Sequence, residues 1–227
     1  MVPLRTRVKI CGLTRPEDVD AAVQAGADAI GLVFYPKSSR LVSLKQARRL
    51  REAAPAFVDV VALFVNAMPD EVQAVIDHVQ PDFLQFHGDE PPEYCAGFNH
   101  RYIRAFRLGA PDLNCSDAVL RACQTYAQAA AWLFDSYSPG YGGSGRVLDT
   151  DLLHAVRQSP DSRPVVLAGG LVAESVAASI RSVHPYAVDV SSGVEASPGI
   201  KSAEKIQAFM RGVREGDAVR AQALDLA

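Results

Sequence analysis

Eight times along this chain a short apolar run of strand length is followed by a segment with helix start and stop signals, and that alternation restricts the fold more than any other feature. The runs lie at 7–12, 28–34, 57–65, 83–87, 102–108, 130–135, 164–169 and 187–192. The helical segments begin with one that starts at Pro16 and stops at Gly26, and continue at 44–54, 69–79, 91–98, 116–127, 149–158, 174–183 and 202–213. Strands alternating with helices argue for a parallel sheet with helices outside it. Eight such pairs close naturally into a single-domain (β/α)8 TIM barrel. A doubly wound open sheet is the alternative, but no GxGxxG follows the first strand, where that fold places its dinucleotide turn. A length of 227 residues suits one barrel domain, 1–227, whose Ala-rich tail from about 216 either extends the last helix or frays.

The charge balance narrows the partners. Lys and Arg number 23 against 26 acidic residues, a net charge of −3 with both signs interspersed, so no basic stripe suggests nucleic acid and no polybasic segment suggests a membrane surface. No run approaches the roughly 18 apolar residues of a membrane helix, and the first residues have no signal-peptide core. The expectation is a cytoplasmic protein with reduced thiols, because Cys11, Cys95, Cys115 and Cys123 show no CxxC spacing. Nothing decides between a monomer and a homodimer.

Alternate side chains of a strand face opposite sides. In the first strand Val8 and Ile10 share one face, and Lys9 and Cys11 share the other. The same parity places Gln85 and His87 together in the fourth strand, Asp135 in the sixth and Asp189 in the eighth, several at carboxyl ends, where parallel barrels hold their chemistry. Polar residues at strand ends also arise simply because strands end at the surface, but the joint pattern exceeds that expectation. Glycine-rich stretches follow three late strands. Gly142, Gly143, Ser144 and Gly145 come after the sixth, Gly169 and Gly170 after the seventh, and Ser191, Ser192 and Gly193 after the eighth. Glycines admit close approach of backbone N–H groups to an anion, and loops after strands 7 and 8 of barrels often hold phosphate.

Other polar residues read as structural. His78, His100, His154 and His184 lie on helices or turns with no metal-ligand spacing. Asp89 and Glu90 read as favouring the next helix start, and Cys95, Cys115 and Cys123 as packing residues on helices.

The segments Val8-Lys9-Ile10-Cys11-Gly12, Leu84-Gln85-Phe86-His87-Gly88, Tyr141-Gly142-Gly143-Ser144-Gly145 and Val188-Asp189-Val190-Ser191-Ser192-Gly193-Val194-Glu195 together resemble the phosphoribosylanthranilate isomerase family of tryptophan biosynthesis. The resemblance runs from Val8 to about Phe209. It implies a (β/α)8 barrel that carries out an Amadori rearrangement on a small phosphosugar without cofactor or metal. Position by position, it implies Cys11 as general base, Asp135 as general acid, Arg40 as the holder of the anthranilate carboxylate, and His87 in the site lining. Ser202 stands where the resemblance leads one to expect an acid, and serine can cap the last helix equally. Lys9 is expected to assist the Cys11 thiolate. Two other readings remain: a Schiff-base lyase using Lys9, and a phosphosugar-binding barrel without catalysis.

Overall fold

The computed structural model of the protein describes residues 5–137 and 148–225. Eight parallel strands form a closed barrel in sequence order: β1 (Arg7–Cys11), β2 (Ala29–Val33), β3 (Asp59–Phe64), β4 (Phe83–Phe86), β5 (Tyr102–Leu108), β6 (Ala131–Ser136), β7 (Val165–Leu167) and β8 (Ala187–Val190). The helices between and after them are α1 (Pro16–Ala25), α2 (Leu44–Ala53), α3 (Pro69–Val79), α4 (Pro92–Ala96), α5 (Ser116–Gln124), α6 (His154–Gln158), α7 (Ala173–Val183) and α8 (Ala203–Asp225).

Local chemistry explains several boundaries. Proline occupies the first turn of α1, α3 and α4, where its missing N–H costs nothing. Gly26 ends α1 in the left-handed conformation at φ 92°, which glycine adopts without strain. Ser43 caps α2 through Gln46 N–H, and Ser202 accepts from Lys205 N–H at the start of α8. The tail extends α8 to Asp225. The sixth helical segment begins as a 3-10 turn, Thr150–Leu153, before α6. No helix among the described residues is long and apolar enough to cross a membrane.

The strand parity sorts the core into layers. Outward side chains, including Ile10, Phe64, Phe86, Trp132 and Phe134, pack with α8's Phe209 in the large layer between sheet and helices. Each such fully buried side chain contributes roughly 1.5–3 kcal/mol. Inward side chains Val61, Ile103, Ala105, Ala131, Leu133, Val166, Ala168 and Ala187 fill the barrel interior. At the amino-terminal mouth the Arg7 guanidinium lies 4.2 Å from the Tyr186 ring centroid and Arg101 4.3 Å from that of Phe83. These stacked pairs cover part of that mouth, and the described pocket lies at the other end, where the strands finish.

Three expectations change. Cys115 is exposed at the residue before α5, so it does not pack, whereas Cys95 and Cys123 are buried as expected. Glu90 does not serve a helix start. It is buried, pairs with Arg104 at 2.9 Å, and accepts the N–H groups of Asn66 and Gly88. Asp89 instead pairs with Arg107 at the surface.

Candidate active site

Parallel pairing without a register shift sets residues of like parity side by side, and this assembles the site. Lys9 of β1 pairs in register with Asp189 of β8, and Cys11 with Gly31 of β2. The Lys9 ammonium consequently sits 2.9 Å from Asp189 Oδ1, with both side chains buried. A methyl group at Gly31 would lie 2.7 Å from Cys11 Sγ and 3.1 Å from Lys9 Nζ, so glycine here makes room for both side chains.

The pocket opens above this layer. Its lining includes Cys11, Arg40, His87, Asp135 and Asp189, the loop residues Gly169 and Gly170 after β7, and Ser191, Ser192 and Gly193 after β8. Tyr35, Val33, Leu63 and Val65 supply an apolar wall beside Cys11. Ten of the twelve sequence-predicted site residues among the described residues thus meet in one cavity. Lys9 and Gln85 are not in its lining, and each reaches it through a neighbour: Lys9 through Cys11 and Asp189, Gln85 through a 3.1 Å contact from its Nε2 to His87 Nδ1. The expected phosphate residues Gly142, Gly143, Ser144 and Gly145 lie outside the described residues.

Asp135 is held on both oxygens. Oδ1 accepts the Ser136 N–H at 2.8 Å, and Oδ2 lies 3.3 Å from His87 Nε2. Gly169, at φ 80°, presses close enough that a Cβ would stand 2.8 Å from Asp135 Oδ1. Gly193 has no space for a side chain against the Leu171 carbonyl. At these two positions glycine is required by loop packing, a constraint separate from the approach to an anion.

The electrostatics differ from the expectation for Cys11. Burial pushes its thiol pKa up, the nearby Lys9 ammonium pulls it down without offsetting burial, and Asp189 adds to the rise. Burial works most strongly against the charge on Lys9, but Asp189 and Cys11 together outweigh it and the lysine pKa is raised. Lys9 is therefore a fixed cation and a poor amine nucleophile.

Two charged residues escaped the sequence reading. Glu195 and Lys201 belong to a small antiparallel hairpin, Glu195–Ser197 with Ile200–Lys201, that follows β8 and places the two residues opposite each other. Glu195 receives the Arg40 guanidinium at both oxygens, 2.7 Å each, and the Lys201 ammonium at 2.9 Å. Burial works to raise the Glu195 pKa, but Arg40 and Lys201 prevail and lower it. Gly12, at φ 77°, lets the Arg40 side chain cross directly over the end of β1.

A family model described as N-(5'-phosphoribosyl)anthranilate (PRA) isomerase matches residues 8–212. The chain belongs to this family. The isomerase of Bordetella bronchiseptica is 60% identical over 216 residues, covering 95% of this chain and 99% of that one. The Thermotoga maritima phosphoribosyl anthranilate isomerase structure superposes with a TM-score of 0.82 at 41% identity, covering 92% of this chain and 98% of that one. A further isomerase structure, in complex with reduced 1-(o-carboxyphenylamino)-1-deoxyribulose 5-phosphate, matches at a TM-score of 0.79 and 38% identity over 92% of this chain and 98% of that one. The matched region runs from within β1 into α8 and contains every pocket residue named above.

Proposed function

We propose that this protein is the isomerase of tryptophan biosynthesis that converts N-(5-phosphoribosyl)anthranilate to 1-(2-carboxyphenylamino)-1-deoxyribulose 5-phosphate, with Cys11 as base and Asp135 as acid. The observation that carries the residue roles is that Cys11 on β1 and Asp135 on β6 line one cavity together with Arg40 and the loops after β7 and β8. The Asp135 carboxyl gives its proton to the furanose ring oxygen, the C1–O bond breaks, and the anthranilate nitrogen takes up the electron deficiency as an iminium. The Cys11 thiolate then removes the C2 proton to give an enolamine, and as C1 takes up a proton the C2 hydroxyl loses its own and becomes the ketone. His87 holds the Asp135 carboxyl in place from 3.3 Å. Arg40 receives the anthranilate carboxylate, and Gly169, Gly170, Ser191, Ser192 and Gly193 receive the phosphate.

The Lys9 lyase reading finds no support in the geometry, since the ammonium is buried against Asp189 and absent from the lining. The protein works in the cytoplasm on a small phosphosugar, as a monomer or homodimer. The test is the fluorescence decay of phosphoribosylanthranilate. Cys11→Ala and Asp135→Asn should each lower kcat by about 10² to 10⁴-fold. Full turnover in either variant removes that residue from its role, and no turnover by the unaltered protein removes the activity itself.

A further inference from the structure

Lys201 lies outside the pocket lining, and its side chain is 0% exposed. Its ammonium donates to Glu195 Oε1 at 2.9 Å, to the Ser191 carbonyl at 3.1 Å and to Ser191 Oγ at 3.3 Å. Ser191 Oγ in turn donates to the Cys11 carbonyl at 3.0 Å, and Glu195 grips Arg40 at both oxygens. One ammonium therefore ties together the arginine rim, the loop after β8 and the backbone that carries Cys11. Hairpin pairing fixes this arrangement: Lys201 stands opposite Glu195, Gly199 turns the chain between them at φ 80°, and the Lys201 N–H is anchored on Asp18.

The charges add a second point. Glu195 alone would neutralise Arg40, and an incoming carboxylate would meet an ion pair with no net charge. Lys201 returns the trio to a net +1. Mutual attraction in a buried site is screened far less than at the surface, so the third charge is felt at the rim.

We propose that Lys201 is a positioning residue for the isomerase reaction: it keeps the Arg40–Glu195 pair net positive and in register with Ser191, so that Arg40 can take the substrate's carboxylate. This rests on reading Arg40 as the carboxylate ligand. Removing the lysine leaves no unpaired buried charge, because Arg40 still covers Glu195, and two variants of similar length, Lys201→Met and Lys201→Gln, cover the risk to folding.

The experiment measures KM and kcat for phosphoribosylanthranilate in Arg40→Ala and in both Lys201 variants, each alone and in an Arg40→Ala/Glu195→Gln background that leaves no unpaired buried carboxylate, with thermal unfolding alongside. Either Lys201 variant should raise KM about tenfold with kcat changed less than about threefold, and should raise KM less than about twofold once Arg40 is gone. A KM unchanged by the Lys201 variants, or raised equally in both backgrounds, overturns the proposal and leaves a purely structural lysine. An Arg40→Ala protein with unchanged KM overturns the carboxylate reading itself. A raised KM there with no effect at Lys201 overturns only this inference.

Discussion

Two buried ion pairs of the same length do different work. Lys9–Asp189 inside the barrel and Arg104–Glu90 outside it each span 2.9 Å between largely buried side chains. The outer pair is surrounded by backbone partners. Arg104 donates to the carbonyls of Phe86 and Gly88, Glu90 accepts from Asn66 and Gly88, and the guanidinium lies 4.7 Å from the Tyr126 ring centroid. The backbone partners lie at the end of β4 and in the loops after β3 and β4, so the charge is consumed in holding them. The inner pair has few partners, and the Lys9 ammonium also reaches the Cys11 thiol. A buried charge whose hydrogen bonds are mostly taken by backbone is a clamp; one left partly free sets the chemistry of its neighbour.

Breaking the clamp should give the largest effect on stability. Glu90→Ala leaves the Arg104 charge buried and two N–H groups without their acceptor, and chemical denaturation should show a loss of about 3–5 kcal/mol. In the protein that remains folded, the pH dependence of kcat/KM should keep its position, because neither Glu90 nor Arg104 acts on the Cys11 thiol. A shifted profile would erase the contrast between the two pairs.

The inner pair should respond in the profile. The pH dependence of kcat/KM reports the free enzyme's base, and activity climbs as the Cys11 thiolate forms. Lys9 lowers the thiol pKa and Asp189 raises it, the net value lying above the ordinary 9.0. Lys9→Met should therefore move the rising limb to higher pH and lower the rate near neutrality, whereas Asp189→Asn should move it to lower pH. Both variants should lose stability. Limbs that move in the same direction would show that the pair acts on Cys11 through position and not through charge.

This contrast was only half legible in the sequence. Inward parity put Lys9, Cys11 and Asp189 on one face, and in-register pairing of β1 with β8 then brought them together. Arg104, by contrast, stands on the outward face between Tyr102 and Phe106, where a charge requires a buried partner, and nothing periodic says that Glu90 supplies it. Periodicity finds strands and their faces, but it does not see contacts made by loops. Glu195 and Lys201 were missed for the same reason, since their meeting depends on a short hairpin after β8. Cys115 read as a packing residue on a helix, but it is the residue before α5, ahead of the 116–127 segment, and so escapes the helix's buried face.

Each pair also has its own glycine, and these give the smallest effect and the finest test. Gly31 stands against Cys11 and Lys9, and Gly88 against Asn66, whose backbone N would lie 2.8 Å from an added Cβ. Neither glycine has a left-handed φ, so alanine at either position is opposed by lack of space alone. Overpacking of this kind costs about 1–3 kcal/mol. Gly88→Ala meets loop backbone already fixed by Glu90, which cannot yield easily, and should fall near the upper end in thermal or chemical unfolding. Gly31→Ala meets most closely the Sγ of Cys11 at 2.7 Å, with the Cys11 Cα and the end of Lys9 at 3.1 Å, a looser backbone contact than at Gly88, and should fall near the lower end. The order should reverse in kcat, because the atom displaced by Gly31→Ala is the sulfur that must reach the substrate's C2 proton. Equal kinetic losses in the two variants would mean that the thiol tolerates displacement, and the distinction between a clamp and a tuned site would then rest on charge alone.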